Sequence, residues 1–506
     1  MTPPAIVLRA PSRALRLALP LLAAIAAGTP SALAAQQLQE PAAAPVAAEG
    51  AATRALRAWV ATFDRGDSAA IARFVDSAFA PAQFARRPAA FIVTRDRWRR
   101  RNLGPIEVVA MDVQGDTMAR ALVRNALVDS WGHVELHLDP AAPHRITSVD
   151  LTRHEAAPAA RAPHGRLGDA AVATALGRFA RTLADSGLFS GTVLVTHRGR
   201  TVFEGSYGLA DEGRGIPNAA GTRFQLASSA KMFTGVAILQ LASQGKLSLS
   251  DPVVKWIPEF ANADAARRIT VHHLLTQSSG LADFMPSPAF DAADKSALKG
   301  LADYLRFFAA ESLAFEPGSQ WQYRNSNYLL LGLVAERASG MSYRDYWRAY
   351  LFTPAGMRSV WADGPAAVGY SYYWPGRRLD PSRRRAVGDD LRHGTPVGGG
   401  VATAGDMARF ANALMEGKLL PAAWRDTMFA GRTPEAGPGA RAAYGFDAAE
   451  QPNGVRVLSK GGYVDGALAQ VELYPDDRWV VVVLTNTDLW GGEAVAAKAR
   501  MLVTQR

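Results

Sequence analysis

None of the 506 residues is a cysteine, so disulfides, thiolate metal sites and a cysteine nucleophile are all excluded, and the fold must be held by its cores alone. Long apolar runs are also scarce. The run LALPLLAAIAA (residues 17–27) is too short to span a bilayer and nothing comparable follows it, so the sequence predicts no membrane span. Two hydrolase patterns are missing as well. No serine has glycine two residues before and two after it, which removes the G-x-S-x-G nucleophile elbow, and H-E-x-x-H does not occur. No internal repeat period is visible.

What is present begins with Arg9, Arg13 and Arg16 ahead of the apolar run and small residues at Ala32-Leu33-Ala34, the pattern of a secretory signal peptide over residues 1–34. The expectation is an exported protein, periplasmic or secreted. The formal charge is +10, and +7 once the three arginines and no acids of residues 1–34 are set aside. Arginine runs at RDRWRRR (95–101) and SRRR (382–385) read as solvated faces, with no nucleic-acid partner expected.

Residues 35–50 and 153–168 are rich in Ala, Pro and Gly without hydrophobic period and are expected as linkers. Between them, over 51–152, Leu56, Trp59, Val60 and Phe63 recur at helical spacing, and IEVVAMDV, TMARALVRNALVD, HVELHLD and HRITSVDL read as four successive strands. That order resembles the cystatin-like or nuclear-transport-factor-like folds, and the unit could support an oligomer. Within it His133, Glu135 and His137 alternate on one strand face; opposite Val134, Leu136 and Leu138 they are the polar side of a half-solvated strand, and no metal is expected there.

From residue 169 to 506 the pattern is α+β. A helix bearing Val172, Leu176, Phe179 and Leu183 leads into a hairpin; strands near VRVLSKGGY, ALAQVELY and WVVVVLTN and a helix from about Glu493 mirror it at the other end. The first and last segments are expected to form one antiparallel sheet around a mainly helical insert from about Gln225 to Tyr444. In GYSYYWPGRR (369–378), aromatics could wall a cleft or form a small core of their own.

The stretch FQLASSAKMFTG (224–235) sets a lysine inside an apolar segment. If a helix starts at Ser228, Lys231 lies three residues on and on the same face, whereas Ser229 points elsewhere. Met232, Val236 and Leu239 continue an apolar face and Gly245 is placed to end the helix, so the lysine stem should be dry and its amine driven toward the neutral form. A second stretch, FEPGSQWQYRNSNYLLLG (315–332), puts Tyr323 and Asn325 on a loop entering a helix; they could relay a proton and hold a lysine, or be a core tyrosine and a helix cap. A third, Lys460-Gly461-Gly462, is either a place where substrate backbone approaches a strand or a bulge beside a solvent lysine. His272 and His273 lie in a helix-like segment and carry no triad pattern.

The three motifs in this order resemble the serine β-lactamase and penicillin-binding-protein superfamily, in particular its class C β-lactamase-like branch, over about residues 187–490. ITVHHLLTQSSGL (269–281), LFTPAGM (351–357) and GGGVATAGDMARFANAL (398–414) are similar to family segments too. The resemblance implies a β-lactamase/transpeptidase-like fold and an acyl-enzyme serine hydrolase, without metal or cofactor, acting on an amide or ester. It implies Ser228 as nucleophile, Lys231 and Tyr323 as proton-transfer pair, Asn325 as positioner and Lys460 as contact for a substrate anion. Beside Gly462, the backbone N–H groups of Ser228 and Tyr463 would form the oxyanion hole. Gly461 stands where many relatives carry Thr or Ser, which removes a hydroxyl for a substrate carboxylate, whereas Lys460, where esterase-like relatives often have His, leans toward a small-molecule or peptide substrate bearing a carboxylate. The other reading is a penicillin-binding or sensing module that acylates without efficient turnover.

Overall fold

The computed structural model describes residues 50–505 apart from 87, 91, 94, 95, 97–99, 101–104, 126–129, 155–164, 286, 361–364, 372, 375–377, 380–384, 388–393, 438 and 452. The expected signal peptide, nearly all of the first linker, most of the second, most of both arginine runs and part of the 369–378 aromatic segment lie outside the described residues.

Helix α1 (Ala51–Arg65) buries Leu56, Trp59, Val60 and Phe63, the positions that recur at helical spacing, and ends where Gly66 turns left-handed at φ 66°. Asp67 then caps α2 (Ser68–Ala78) by accepting from the Ala69 and Ala70 amides. Strands β1 (Ile106–Gln114), β2 (Met118–Asn125), β3 (Ser130–Leu138) and β4 (Ile146–His154) pair in sequence order as an antiparallel meander. Val134, Leu136 and Val149 pack on the helices in a core drawn from residues 52–149. On the other face of β3, Glu135 Oε1 meets His137 Nε2 at 2.8 Å, half-exposed.

Helix α3 (Asp169–Asp185) opens the second core, followed by β5 (Gly191–His197) and β6 (Arg200–Tyr207). The chain returns to the same sheet through β7 (Arg432–Gly437), β8 (Ala440–Ala442), β9 (Asp447–Glu450), β10 (Arg456–Val464), β11 (Ala467–Tyr474) and β12 (Trp479–Thr485). The eight strands lie in the order β7-β8-β9-β10-β11-β12-β5-β6, all antiparallel, with β12 and β5 in register from Trp479↔His197 to Thr485↔Gly191. First hairpin and last strands therefore share one sheet, as their patterning predicts.

Both faces of that sheet are covered, which is why β12 is apolar without alternation. Val481 and Val483 pack against α3 and the last helix, α7 (Gly491–Val503), while Val480, Val482 and Leu484 join the core of the helical insert. Each such buried side chain contributes about 1.5–3 kcal/mol.

The insert is built around α4 (Lys231–Ser243), α5 (Asn325–Ser339) and α6 (Ala404–Met415). Two details of α4 differ from the sequence reading. It is preceded by a 3₁₀ turn, Ala227–Ala230, so the regular helix starts at Lys231 and not at Ser228. It also has no polar face, since every residue from Lys231 to Ala242 is buried. A helix ringed by neighbours on all sides has no solvent side to mark in its sequence. At its C-terminus Gly245 adopts φ 70°, in the stop position expected of it.

Candidate active site

In a 3₁₀ turn residues i and i+3 eclipse, and here that stacks Ser228 under Lys231. The turn is pinned from behind: the Leu226 amide donates to the Gly400 carbonyl at 2.9 Å and the Gly399 amide to the Ala227 carbonyl at 3.0 Å. Ala227 is held at φ 45°, a left-handed conformation that costs a non-glycine residue about 1–2 kcal/mol and is imposed by these contacts. Ser229 faces away. It is fully buried, with Oγ 3.2 Å from both the Lys460 and Ala469 carbonyls, so its hydroxyl is spent on fastening the turn to β10 and β11.

Gly462 makes this close approach possible, because a Cβ there would lie 2.2 Å from the Leu226 carbonyl and 2.8 Å from the Ser229 nitrogen. The Lys460–Gly462 run is an uninterrupted ladder with β11 and contains no bulge. Strand β9 pairs only with Arg456–Ser459 of β10, so Lys460–Val464 extends past it and has no ladder partner on that edge among the described residues. Tyr463 lies on this overhang with its side chain nearly half exposed.

Lys231 Nζ, at the head of α4, lies 3.2 Å from Ser228 Oγ, donates to Asn325 Oδ1 at 2.9 Å and donates to the Val397 carbonyl. Burial holds its pKa well below the ordinary lysine value; the Lys460 charge pushes the same way, and Asp283 and Asp447 oppose it. A neutral amine has two N–H donors and one lone pair. With the donors on Asn325 and Val397, the lone pair is left for the Ser228 hydroxyl. Tyr323 Oη donates to Ser228 Oγ at 2.7 Å, and burial pushes the phenol up to about 12 despite that hydrogen bond. The serine oxygen thus sits between a group able to take its proton and a phenol that stays protonated. Ser228, Lys231, Tyr323 and Asn325 come together; Lys460 faces the Tyr323 ring from 5.6 Å.

Several further residues of the site are not singled out by the sequence patterns. Asp283 Oδ2 accepts from the Asn325 backbone N–H at 3.1 Å and from Nδ2 at 3.2 Å, which turns the Asn325 carbonyl oxygen toward Lys231. Gln277, itself at φ 59°, brackets Tyr323: its carbonyl accepts from the Gln322 amide and its Oε1 from the Arg324 amide, both at 2.9 Å, while Asn327 Nδ2 donates to Oε1 at 2.5 Å. Asp447 Oδ2 accepts from Lys460 Nζ at 3.2 Å. Gln277 stands in a stretch similar to a family segment, but nothing in the spacing of Asp283 or Asp447 distinguishes them from other acids. His272 and His273 are elsewhere engaged, His272 with the Tyr444 hydroxyl at 2.7 Å and His273 in a capping box with Thr270. Tyr370, of the aromatic segment, is buried with its hydroxyl on the Glu212 amide.

A serine and lysine at the head of a buried central helix, a tyrosine from the loop before the next long helix, an asparagine from that helix's first residue and the overhanging edge of an antiparallel sheet together define a serine hydrolase of the β-lactamase/transpeptidase fold. The chain belongs to the beta-lactamase family, whose model matches residues 175–506. It is 29% identical to penicillin-binding protein 4* of Bacillus subtilis over 321 residues, 61% of this chain and 70% of that protein. It is 35% identical to esterase EstB of Burkholderia gladioli over 191 residues, 36% of this chain and 48% of the esterase. Among solved structures, a penicillin-binding protein from Bacillus halodurans superposes with a TM-score of 0.55 at 29% identity, covering 64% of this chain and 99% of the other.

Proposed function

We propose that the protein is an exported serine hydrolase that cleaves an amide or ester through an acyl-enzyme on Ser228. The observation that carries this reading is the position of Ser228 Oγ between the Lys231 amine and the Tyr323 phenol. Oγ attacks the substrate carbonyl carbon while its proton passes to Lys231. Collapse of the tetrahedral intermediate breaks the C–N or C–O bond, and the proton is delivered through Tyr323 to the leaving group. Water then attacks the acyl-serine by the reverse proton path, releasing the acid and restoring the hydroxyl. Asn325, oriented by Asp283, keeps the Lys231 amine aimed at Oγ. The amides of Ser228 and, on the open overhang of β10, Tyr463 are suited to stabilise the oxyanion. The penicillin-binding and esterase names of the relatives support an amide or ester substrate, and the basic-then-apolar N-terminus supports export.

An active-site-directed fluorophosphonate, followed by peptide mapping, is expected to label Ser228 and not Ser229. Label on Ser229, or undiminished labelling of Ser228→Ala, overturns the assignment. On a chromogenic ester, steady turnover after any burst is expected; a burst without turnover identifies a module that acylates and stalls.

A further inference from the structure

The group best placed to attract a substrate carboxylate is already engaged. Lys460 Nζ is paired with Asp447 Oδ2 at 3.2 Å; its side chain is only 10% exposed, whereas that of Asp447 is 37% exposed. Solvent, and anything arriving from it, therefore has freer access to the carboxylate than to the ammonium. Asp447 is not free to swing away as a loop residue would be. It begins β9, in register with Ser459 next to Lys460, and follows a segment wedged under the nucleophile's helix. There Gly445, at φ 86°, approaches so closely that a Cβ would be 3.2 Å from the Lys231 carbonyl, and a Cβ on Gly235 would lie 2.8 Å from the Tyr444 carbonyl. The Ala443 amide closes the turn on the Phe446 carbonyl at 2.9 Å. The adjoining Gly461 supplies no hydroxyl that could hold a substrate anion in place of the lysine.

We infer that Asp447 is a specificity-determining residue, which by pairing with Lys460 turns a lone cation beside Ser228 into a neutral ion pair and selects uncharged acyl donors, short esters or amides, over those bearing a carboxylate. The inference rests on the acyl-transfer reading of the site. A carboxylate that enters must displace Asp447 from Lys460 and lie next to it, so like-charge repulsion replaces the attraction that a lone lysine would give. An uncharged substrate leaves the pair intact.

The test uses two esters that share the butyryl group and differ in the charge of the phenol leaving group, 3-carboxyphenyl butyrate and 3-carbamoylphenyl butyrate, on the full chain. For the wild type, kcat/KM for the carboxylate ester is expected to be at or below that for the carbamoyl ester. Asp447→Asn keeps the size and a hydrogen-bond acceptor but drops the charge, and is expected to raise the carboxylate-to-carbamoyl ratio about tenfold or more, with Asp447→Glu restoring it toward the wild-type value. A ratio unmoved in Asp447→Asn, while the carbamoyl ester is still turned over, overturns this inference alone. Absence of wild-type turnover of either ester overturns the acyl-transfer reading and the inference with it. Should Asp447→Asn lose both activities, the wild-type ratio between 50 and 500 mM NaCl decides: a ratio that holds or rises supports the paired lysine, and a fall of several-fold, the signature of a lone cation screened by salt, overturns it.

Discussion

Among single residues Lys231 is fully buried and held well below its ordinary pKa, which in the proposed mechanism lets its amine serve Ser228. The same displacement couples activity to stability. Between the depressed folded value and the ordinary 10.5 the unfolded chain binds a proton that the folded chain does not, so this residue's contribution to stability is lost as pH falls through that window and is complete only above 10.5. Lys231→Met abolishes the linkage. Denaturation of both proteins at pH 7 and pH 10 should show the wild type gaining on the variant at the higher pH, and kcat of the variant should fall about 100-fold or more. A stability difference that does not change with pH would mean that the folded lysine stays charged. Tyr323→Phe should cost a comparable factor in kcat, and the double variant little more than the worse single one, because both act on the proton of one hydroxyl.

At the level of elements, the site depends on two segments lying closer than side chains allow. The Ala227–Ala230 turn rests on β10 at Gly462, and the two nearest contacts there are the Leu226 carbonyl and the Ser229 amide, backbone groups that cannot rotate out of the way. Gly462→Ala must therefore push the turn off the strand. Overpacking of this kind costs about 1–3 kcal/mol, and a displacement near 1 Å at the nucleophile costs about 100-fold in rate. The expected outcome is a chain with unchanged far-ultraviolet circular dichroism, a lowered urea midpoint and kcat/KM reduced about 100-fold. Near-normal activity in this variant would show that the turn has room to relax.

For the molecule as a whole, the insert and the sheet are tied together behind the site by His272, Tyr444 and Arg432. The imidazole meets the Tyr444 hydroxyl at 2.7 Å, and the Arg432 guanidinium lies 3.6 Å from the center of the Tyr444 ring. Burial, helped by the charges of His273 and Arg432, lowers the His272 pKa to about 4. The unfolded chain protonates this histidine near 6.5, so stability is lost as pH falls from about 6.5 toward about 4. His272→Asn, which offers Tyr444 an amide in place of Nδ1 and does not titrate, should move the acid-unfolding midpoint to lower pH when followed by tryptophan fluorescence. An unchanged midpoint would assign acid lability to other groups.

Periodicity determined the sheet strands, the helices α1 and α3 and the place of the insert, because alternation and helical spacing are local consequences of having one core side. Spacing also determined the Ser228–Lys231 pair, since a turn brings residues three apart together whatever surrounds it, and the Tyr-x-Asn and Lys-Gly-Gly stretches gained meaning beside it. The start and burial of α4 were different in kind. A helix packed on every side shows no stripe, and the 3₁₀ entry is imposed by Gly398–Gly400 and Gly462, which lie far along the chain. Asp283 and Asp447 are two among 46 acidic residues, and each acquires its role only when folding sets it against Asn325 or Lys460. The Ser228–Lys231 pair was thus set by local geometry, whereas the approach of Tyr323 and Asn325, and the charge that a substrate meets in the cleft, were decided by contacts between distant segments, because electrostatics follows distance in space and not position in the chain.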